Sequence, residues 1–252
     1  MWGRQREWTI RAGSLGIVLL GWELIGQLQL MDPLFLSYPT AMWAALWQSY
    51  EVGSILSHTI ITFWVGLICY VSALLTGIST GLILGRMPVI RKLIDPYLVV
   101  LYVTPTFTLL PFLLVFLGTG HMPLFVVVFG AVYSQVVINV ISGAESIDPI
   151  LIEAGRAYGA TRIQLFWKVI LPATVPHIVA ASRIALGRGL VVLVFAEFYL
   201  GSSGLGFFTA WSGQTLRTEA LFAAIMVLMA LGLLGDGGLK FLRRRFFPWQ
   251  TK

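Results

Sequence analysis

Charge is what this sequence lacks most. Asp, Glu, Lys and Arg make up 11% of the chain, against about a quarter in soluble domains, and 58% of the residues are hydrophobic. That balance excludes an ordinary water-soluble globule. Cysteine is almost missing: Cys69 stands alone in an apolar stretch, so no intramolecular disulfide can form and the thiol reads as a packing residue. The three histidines, His58, His121 and His177, lie on separate connections with no second ligand at helical spacing, which speaks against a metal site. No G-x-x-x-x-G-K-S/T run occurs, so the chain has no phosphate-cradling loop with which to hydrolyse ATP. No H-E-x-x-H or Ser/His/Asp pattern supports an intramembrane hydrolase.

What the chain does have is apolar sequence in long pieces. A run of about 20 apolar residues spans the roughly 30 Å hydrocarbon layer of a bilayer. Six such segments occupy approximately residues 10–30, 60–84, 97–117, 124–142, 177–200 and 221–242. Inside lipid each backbone polar group must be bonded within its own helix. The expected fold is therefore an all-α, polytopic membrane bundle of six transmembrane helices, forming one domain over residues 1–252. The first segment has a basic start like a signal peptide, but its apolar stretch is long and no A-x-A site follows near Gln27 to Asp32, so it is kept as a span.

The net charge of +6 is an insertion signal and calls for no nucleic acid. Sixteen of the seventeen basic residues fall on one side of the bundle. They run from Arg4, Arg6 and Arg11, through Arg86, Arg91 and Lys92, then Arg156, Arg162, Lys168, Arg183 and Arg188, to Lys240, Arg243, Arg244, Arg245 and Lys252, with only Arg217 opposite. The positive-inside rule makes that side cytoplasmic, with both termini there.

Local signals refine the picture. Residues 31–57 hold Pro33, Pro39 and the cluster Trp43, Trp47, Tyr50, which predicts an external loop with an amphipathic helix at the interface, where aromatic rings are favoured. Gly77, Gly81 and Gly85 recur every fourth residue, giving one helix face that lets a neighbour approach closely; the alternative is a lining for a conduction path. Asp95-Pro96 reads as an N-cap and first helical residue, the start of the third helix. Pro105 and Pro111 interrupt that span, so it is expected inside the bundle, where freed carbonyls find partners.

Candidate sites follow from polar residues inside these spans. Thr104, Thr106 and Thr108 either line a pathway or re-satisfy the kinked backbone beside them. Glu197, near the outer end of the fifth span, either belongs to the pathway or outer gate or caps the loop from Gly201 to Gly206. Arg183 and Arg188 have three readings: snorkelling to headgroups, completing a cytoplasmic interface, or binding an anion. Glu23 and Asp236 read as interior polar contacts. Ala181, Ala185 and Gly189 give the fifth span a small-residue face, expected beside a central axis together with the third span.

The longest cytoplasmic connection, residues 143–175, reads as a helical hairpin. Asp148-Pro149 starts its first helix, Ile150, Leu151, Ala154, Ala157 and Tyr158 form an apolar face, and Gly159 ends it in a left-handed conformation. Thr161 and Gln164 form a capping box for the second helix. Its Ile163, Phe166, Trp167 and Ile170 repeat at helical spacing until Pro172 stops it. An amphipathic hairpin outside the membrane needs something to bury against.

The run from Glu153 to Ala173, EAGRAYGATRIQLFWKVILPA, resembles the EAA loop of ABC importer permeases. Glu153, Ala154, Gly159, Ile170, Leu171 and Pro172 match that pattern. Gly155 stands where the loop usually has Ala, a change that loosens a helix by up to about 1 kcal/mol. Tyr38-Pro39-Thr40, Gly81 to Gly85, Asp95-Pro96, Asn139 with Gly143 and Asp148, Leu186-Gly187, Ala196-Glu197 and Gly204 to Gly206 extend the likeness over nearly the whole chain. They are most similar to permeases of the nitrate, sulfonate, taurine and bicarbonate transporter group.

The resemblance implies a homodimer of noncatalytic six-helix subunits in a bacterial-type plasma membrane. It also implies cytoplasmic ABC ATPase subunits that bind the ATP and Mg, so that this chain needs no cofactor, and an extracytoplasmic solute-binding protein. The expected ATPase-coupling residues are Glu153, Ala154, Gly155, Tyr158, Gly159, Phe166, Trp167, Leu171 and Pro172; those of the pathway are Thr104, Thr106, Thr108, Asn139 and Glu197. The expected solute is a small anion or organic compound of the nitrate, sulfonate or taurine type, or a pyrimidine vitamin precursor. The main rival class is the intramembrane hydrolase, for which the spans hold no paired nucleophile and base; a second is an ATP-independent channel or carrier, which a co-purifying ATPase would exclude.

Overall fold

The computed structural model describes residues 2–32, 34–51, 54–200 and 203–246, without the side chains of 2–9, 11, 12, 15 and 246. Pro33, Gly201 and Lys252 lie outside the described residues, as do the side chains of Arg4, Arg6 and Arg11. Among the described residues every regular element is helical, the all-α bundle that long apolar runs demand.

Helix α1 (Trp2–Gln27) leads through a short turn to α2 (Pro39–Glu51), then α3 (Ser54–Leu84) and α4 (Pro88–Val103). A 3-10 turn over Thr106–Leu109 joins α4 to α5 (Leu110–Leu117), followed by α6 (His121–Glu145). Beyond it come α7 (Pro149–Ala157), α8 (Arg162–Leu165), a π-helical turn over Phe166–Ile170 and α9 (Leu171–Leu200), then α10 (Leu205–Gln214) and α11 (Thr218–Phe246). By length and composition four helices among the described residues can cross a membrane, and the bent pair α4 and α5 makes five. The first predicted span corresponds to α1, whose apolar segment Gly16–Gln27 is shorter.

Helix α6 is the spine. Val127, Val128, Ala131, Val132, Val136, Val140 and Ala144 on it are buried against α3 on one side and α9 on the other. The glycine stripe of α3 is a packing stripe, as its spacing suggests. A Cβ at Gly77 would lie 3.0 Å from Val136 and one at Gly81 2.7 Å from Val140, while Gly85 faces Ala144. The two helices thus pair turn for turn, and the close approach replaces a hydrophobic driving force that lipid does not provide.

Aromatic helix α2 lies outside the main bundle, with Met42 and Ala45 inward and Trp43, Trp47 and Tyr50 outward, as expected of an interfacial helix. Its N-terminus is held by Glu23 of α1, whose carboxylate accepts from the Thr40 amide at 3.1 Å and the Thr40 hydroxyl at 2.6 Å. A carboxylate at a helix N-terminus also meets the positive end of the dipole.

The third span departs from expectation in two ways. Its helix starts at Pro88 with Met87 as N-cap, and Asp95-Pro96 lies within it, because Pro88 already supplies a preorganised first turn. The span then breaks, turning by 87° between α4 and the following helix, and much of its surface, including Tyr97, Val100, Val103, Val115 and Phe116, is exposed within this subunit. It covers α6 from outside instead of lying inside the bundle. Thr104 and Thr108 do re-satisfy the broken backbone: their hydroxyls donate to Val100 O and Pro105 O, each at 2.7 Å.

Three further expectations need correction. Pro172 does not stop its helix, since residues 162–200 form one continuous rod. A proline ring collides with the carbonyl four residues back in an α-helix; here the π turn widens the backbone, Leu171 N–H bonding to Phe166 O, and makes room. The small face of α9 points into the subunit: Ala181, Ala185 and Gly189 are buried, and a Cβ at Gly189 would stand 2.7 Å from Val132. The opposite stripe, Ile184, Val191, Phe195 and Phe198, is exposed. Finally, a buried helix, α10, links the last two spans where sequence reading gives only a loop.

Candidate functional site

The hairpin between α6 and α9 is built by local chemistry that the sequence announces. Asp148 Oδ1 accepts from the Ile150 amide at 2.9 Å and Pro149 takes the first helical position of α7. At the other end Gly159 has φ +74°. Its N–H bonds to Arg156 O at 2.9 Å and that of Ala160 to Gly155 O at 3.0 Å, the paired bonds of a Schellman termination. Thr161 then opens α8 with both halves of its capping box formed. The chain thereby reverses between Ala157 and Arg162 with the Gly155 and Arg156 carbonyls and the Thr161 and Gln164 amides partnered.

Packing sorts the hairpin residues into two groups. Ile147, Ile152 and Ile170 form a small core against Phe166 and Ala173. Gly155 belongs to this inner side, since a Cβ there would reach Leu165 at 2.5 Å; the missing methyl is what lets α7 lie on α8. Phe166 also packs on the main core, as does Leu171, so Phe166 is an internal anchor of the hairpin and is corrected from an outward-facing one. Pro172 is half-buried at its root. Outward stand Ile150, Leu151, Glu153, Ala154, Tyr158 at 92% exposure, Ile163 and Trp167 at 62%. The expected apolar face therefore exists and is uncovered.

A second polar site sits within the membrane, at the break of the third span. Breaking α4 frees the Tyr102 carbonyl, whose helical partner would be the amide of Thr106. Arg188 of α9 takes it: Nη2 donates to Tyr102 O at 2.8 Å, Nη1 to Gln135 Oε1 of α6 at 3.3 Å, and the guanidinium lies 4.8 Å from the Tyr102 ring centre. Twelve residues separate Arg188 from Leu200, the last residue of α9, about 18 Å at 1.5 Å per residue, so it lies well inside this apolar helix and away from both of its ends. A cation at the centre of a membrane-spanning helix costs about 2.5–3.5 kcal/mol on insertion scales. Asn139, a turn from Gln135, donates Nδ2 to Gln135 O at 2.7 Å. The sequence missed this cluster because Arg188 was counted with the cytoplasmic charges; measuring its depth from Leu200 is the signal that would have found it. Thr106 packs inward, its Oγ1 buried and without a partner among the described residues.

Glu197 serves the outer loop. At 2% exposure its carboxylate accepts from the Thr62 hydroxyl at 2.9 Å and the Gly206 amide at 2.9 Å, while Thr62 accepts from the Leu205 amide at 2.7 Å. His58 Nδ1 accepts from the Gly204 amide at 3.1 Å, and Gly204 itself has φ +95°. Five residues before Arg188 on the same helix, Arg183 pairs with Asp236 at 2.6 Å, and Lys240 with the same carboxylate at 2.5 Å. Arg183 is thus an interhelical tie from α9 to α11.

The structure is thus a multi-pass helical bundle that carries a preformed amphipathic hairpin between α6 and α9. Its fold matches a solved structure of the MetNI methionine ABC transporter in an inward-facing conformation, with TM-score 0.55 at 22% identity over 75% of this chain and 94% of that one. The taurine transport system permease protein TauC of Escherichia coli (strain K12) is 30% identical, the match covering 98% of this chain and 92% of the relative. The bicarbonate transport system permease protein CmpB of Synechocystis sp. is 27% identical over 94% of this chain and 88% of the relative. A putative aliphatic sulfonates transport permease protein, SsuC of Escherichia coli (strain K12), is 29% identical over 97% and 94%. The family model for the binding-protein-dependent transport system inner membrane component matches residues 73–248, and the chain belongs to that family. It is a noncatalytic, multi-pass membrane subunit.

Proposed function

We propose that this chain forms the solute pathway of an ATP-driven importer as a pair of identical copies, and is driven by cytoplasmic ATPase subunits docked on the hairpin from Asp148 to Pro172. The observation behind this reading is the uncovered apolar face of Ile150, Leu151, Tyr158, Ile163 and Trp167 on a rigidly capped hairpin. Rings and aliphatic chains held at fixed geometry and left in water are the anchors a partner groove takes up. ATP and Mg belong to that partner, and both termini of this chain face the cytoplasm. The exposed stripe of α9 and the exposed face of α4 and α5 support a second copy across a central axis, with the pathway between them and Thr104, Thr108 and Asn139 near it; Glu197 frames its outer end through the α10 loop. An extracytoplasmic binding protein delivers the solute there.

The relatives' names favour a solute of the taurine, aliphatic sulfonate or bicarbonate type. Co-expression with the ATPase and purification through a tag on one copy tests the assembly. Two copies of this chain with two ATPases are expected; one copy per two ATPases refutes the pairing, and a chain that retains no ATPase refutes the coupling role.

A further inference from the structure

We infer that Arg188, seated on Tyr102 and Gln135 at the break of the third span, is an oxyanion-binding position within the pathway, meeting a sulfonate, carboxylate or carbonate group of the solute as it crosses. The inference rests on the importer reading above and names the chemistry of its solute.

The guanidinium is only partly used by the protein. It has five N–H donors in a planar fork, of which one goes to Tyr102 O and one to Gln135 Oε1. No carboxylate among the described residues pairs with it; the ion pairs there are Arg91 with Asp95 and Glu145, and Asp236 with Arg183 and Lys240. A fixed charge inside an apolar helix long enough to span a membrane, without a counter-ion among the described residues, is the arrangement that marks substrate paths. Gln135, only 6% exposed, spends Oε1 on Arg188, and its Nε2 donates to no group among the described residues. An amide N–H without an acceptor among the described residues and a guanidinium with spare donors, side by side, present a donor-only surface that fits an oxyanion and rejects a cation.

Position supports the same role. Arg188 falls on the stripe of α9, between Ile184 and Val191, that is uncovered in the single subunit, and beside the 87° break of the span it caps. The tie to Tyr102 O is also what a merely structural arginine would make. The two roles part over what remains: a cap needs one donor, whereas an anion site needs the positive charge.

The test uses the complete complex of this chain, its ATPase and its binding protein in phosphatidylcholine vesicles, with ATP-driven uptake of labelled taurine, ethanesulfonate and bicarbonate as readout. Arg188→Gln, which can still donate to Tyr102 O, should assemble with the ATPase yet lose roughly tenfold or more of oxyanion uptake, the scale of a lost hydrogen bond to a charged group. Arg188→Lys should retain part of it. In a Cys69→Ala background, Arg188→Cys should regain uptake when modified with a cationic ammonium methanethiosulfonate and stay impaired with the neutral methyl reagent. Equal rescue by both reagents, or undiminished uptake by Arg188→Gln, overturns the inference and leaves the importer reading intact. So does a wild-type complex that hydrolyses ATP but imports only neutral or cationic solutes. A wild type that never binds the ATPase overturns the importer reading, and this inference with it.

Discussion

Replacing Gly159 tests whether the shape of the hairpin, and not only its surface, drives transport. Its φ of +74° is a conformation that costs an L-residue roughly 1–2 kcal/mol, with β-branched residues the worst placed and Asn tolerated. A Cβ added there meets no atom within 4 Å, so the penalty is purely one of backbone conformation. Losing 1–2 kcal/mol shifts the balance between the native turn and its alternatives by roughly 5- to 30-fold. That swings α7 away from α8 and splits the apolar face between Tyr158 and Trp167. Gly159→Val should therefore insert normally but lose ATPase subunits on purification and most ATP-driven uptake; Gly159→Ala should fall between, and Gly159→Asn should stay near wild type. Wild-type uptake by Gly159→Val with normal ATPase retention would refute the reasoning. A defect in Gly159→Asn equal to that of Val would mean that side-chain bulk matters and backbone strain does not.

The sorting of aromatic residues in the hairpin predicts opposite phenotypes for neighbours. Trp167→Ala should leave thermal stability in detergent unchanged and weaken ATPase retention by about 2 kcal/mol, the scale of an interface hot spot, whereas Phe166→Ala should lower the melting temperature itself, because its ring packs inward. Glu197→Ala strands the Thr62 hydroxyl and the Gly206 amide and should destabilise the subunit by about 1–3 kcal/mol, read as a lower midpoint in thermal unfolding. For topology, a cysteine at Arg162 should escape an impermeant thiol reagent in intact cells and one at Gly120 should react, with buried Cys69 silent in both.

The parts of this structure that are legible from sequence are those written in neighbouring residues. Asp148-Pro149, Gly159 and the Thr161–Gln164 pair each act within four residues, and every one of them forms the cap its chemistry predicts. The Gly77, Gly81, Gly85 stripe is legible for the same reason, one helix face being a local property. Direction across the bundle is not local. Nothing in the spacing of Ala181, Ala185 and Gly189 says whether the smooth face meets α6 or a second copy, and the structure gives it to α6. Pro172 reads as a stop because the π turn that accommodates it depends on how residues 166–170 are packed. Arg188 is counted in the sequence with the basic residues of the neighbouring connection, and its partners Tyr102 and Gln135 lie 86 and 53 residues away in sequence.

Site-specific cross-linking from Tyr158 reaches the central claim most directly. A photoreactive residue placed there, at 92% exposure on the outer face of the hairpin, should capture the ATPase subunit in native membranes, and the adduct should disappear in Gly159→Val. The same probe at Phe35, exposed on the opposite side of the bundle, should capture no ATPase. A Tyr158 probe that captures only lipid or a second copy of this chain, in membranes where the ATPase is present, would contradict the account.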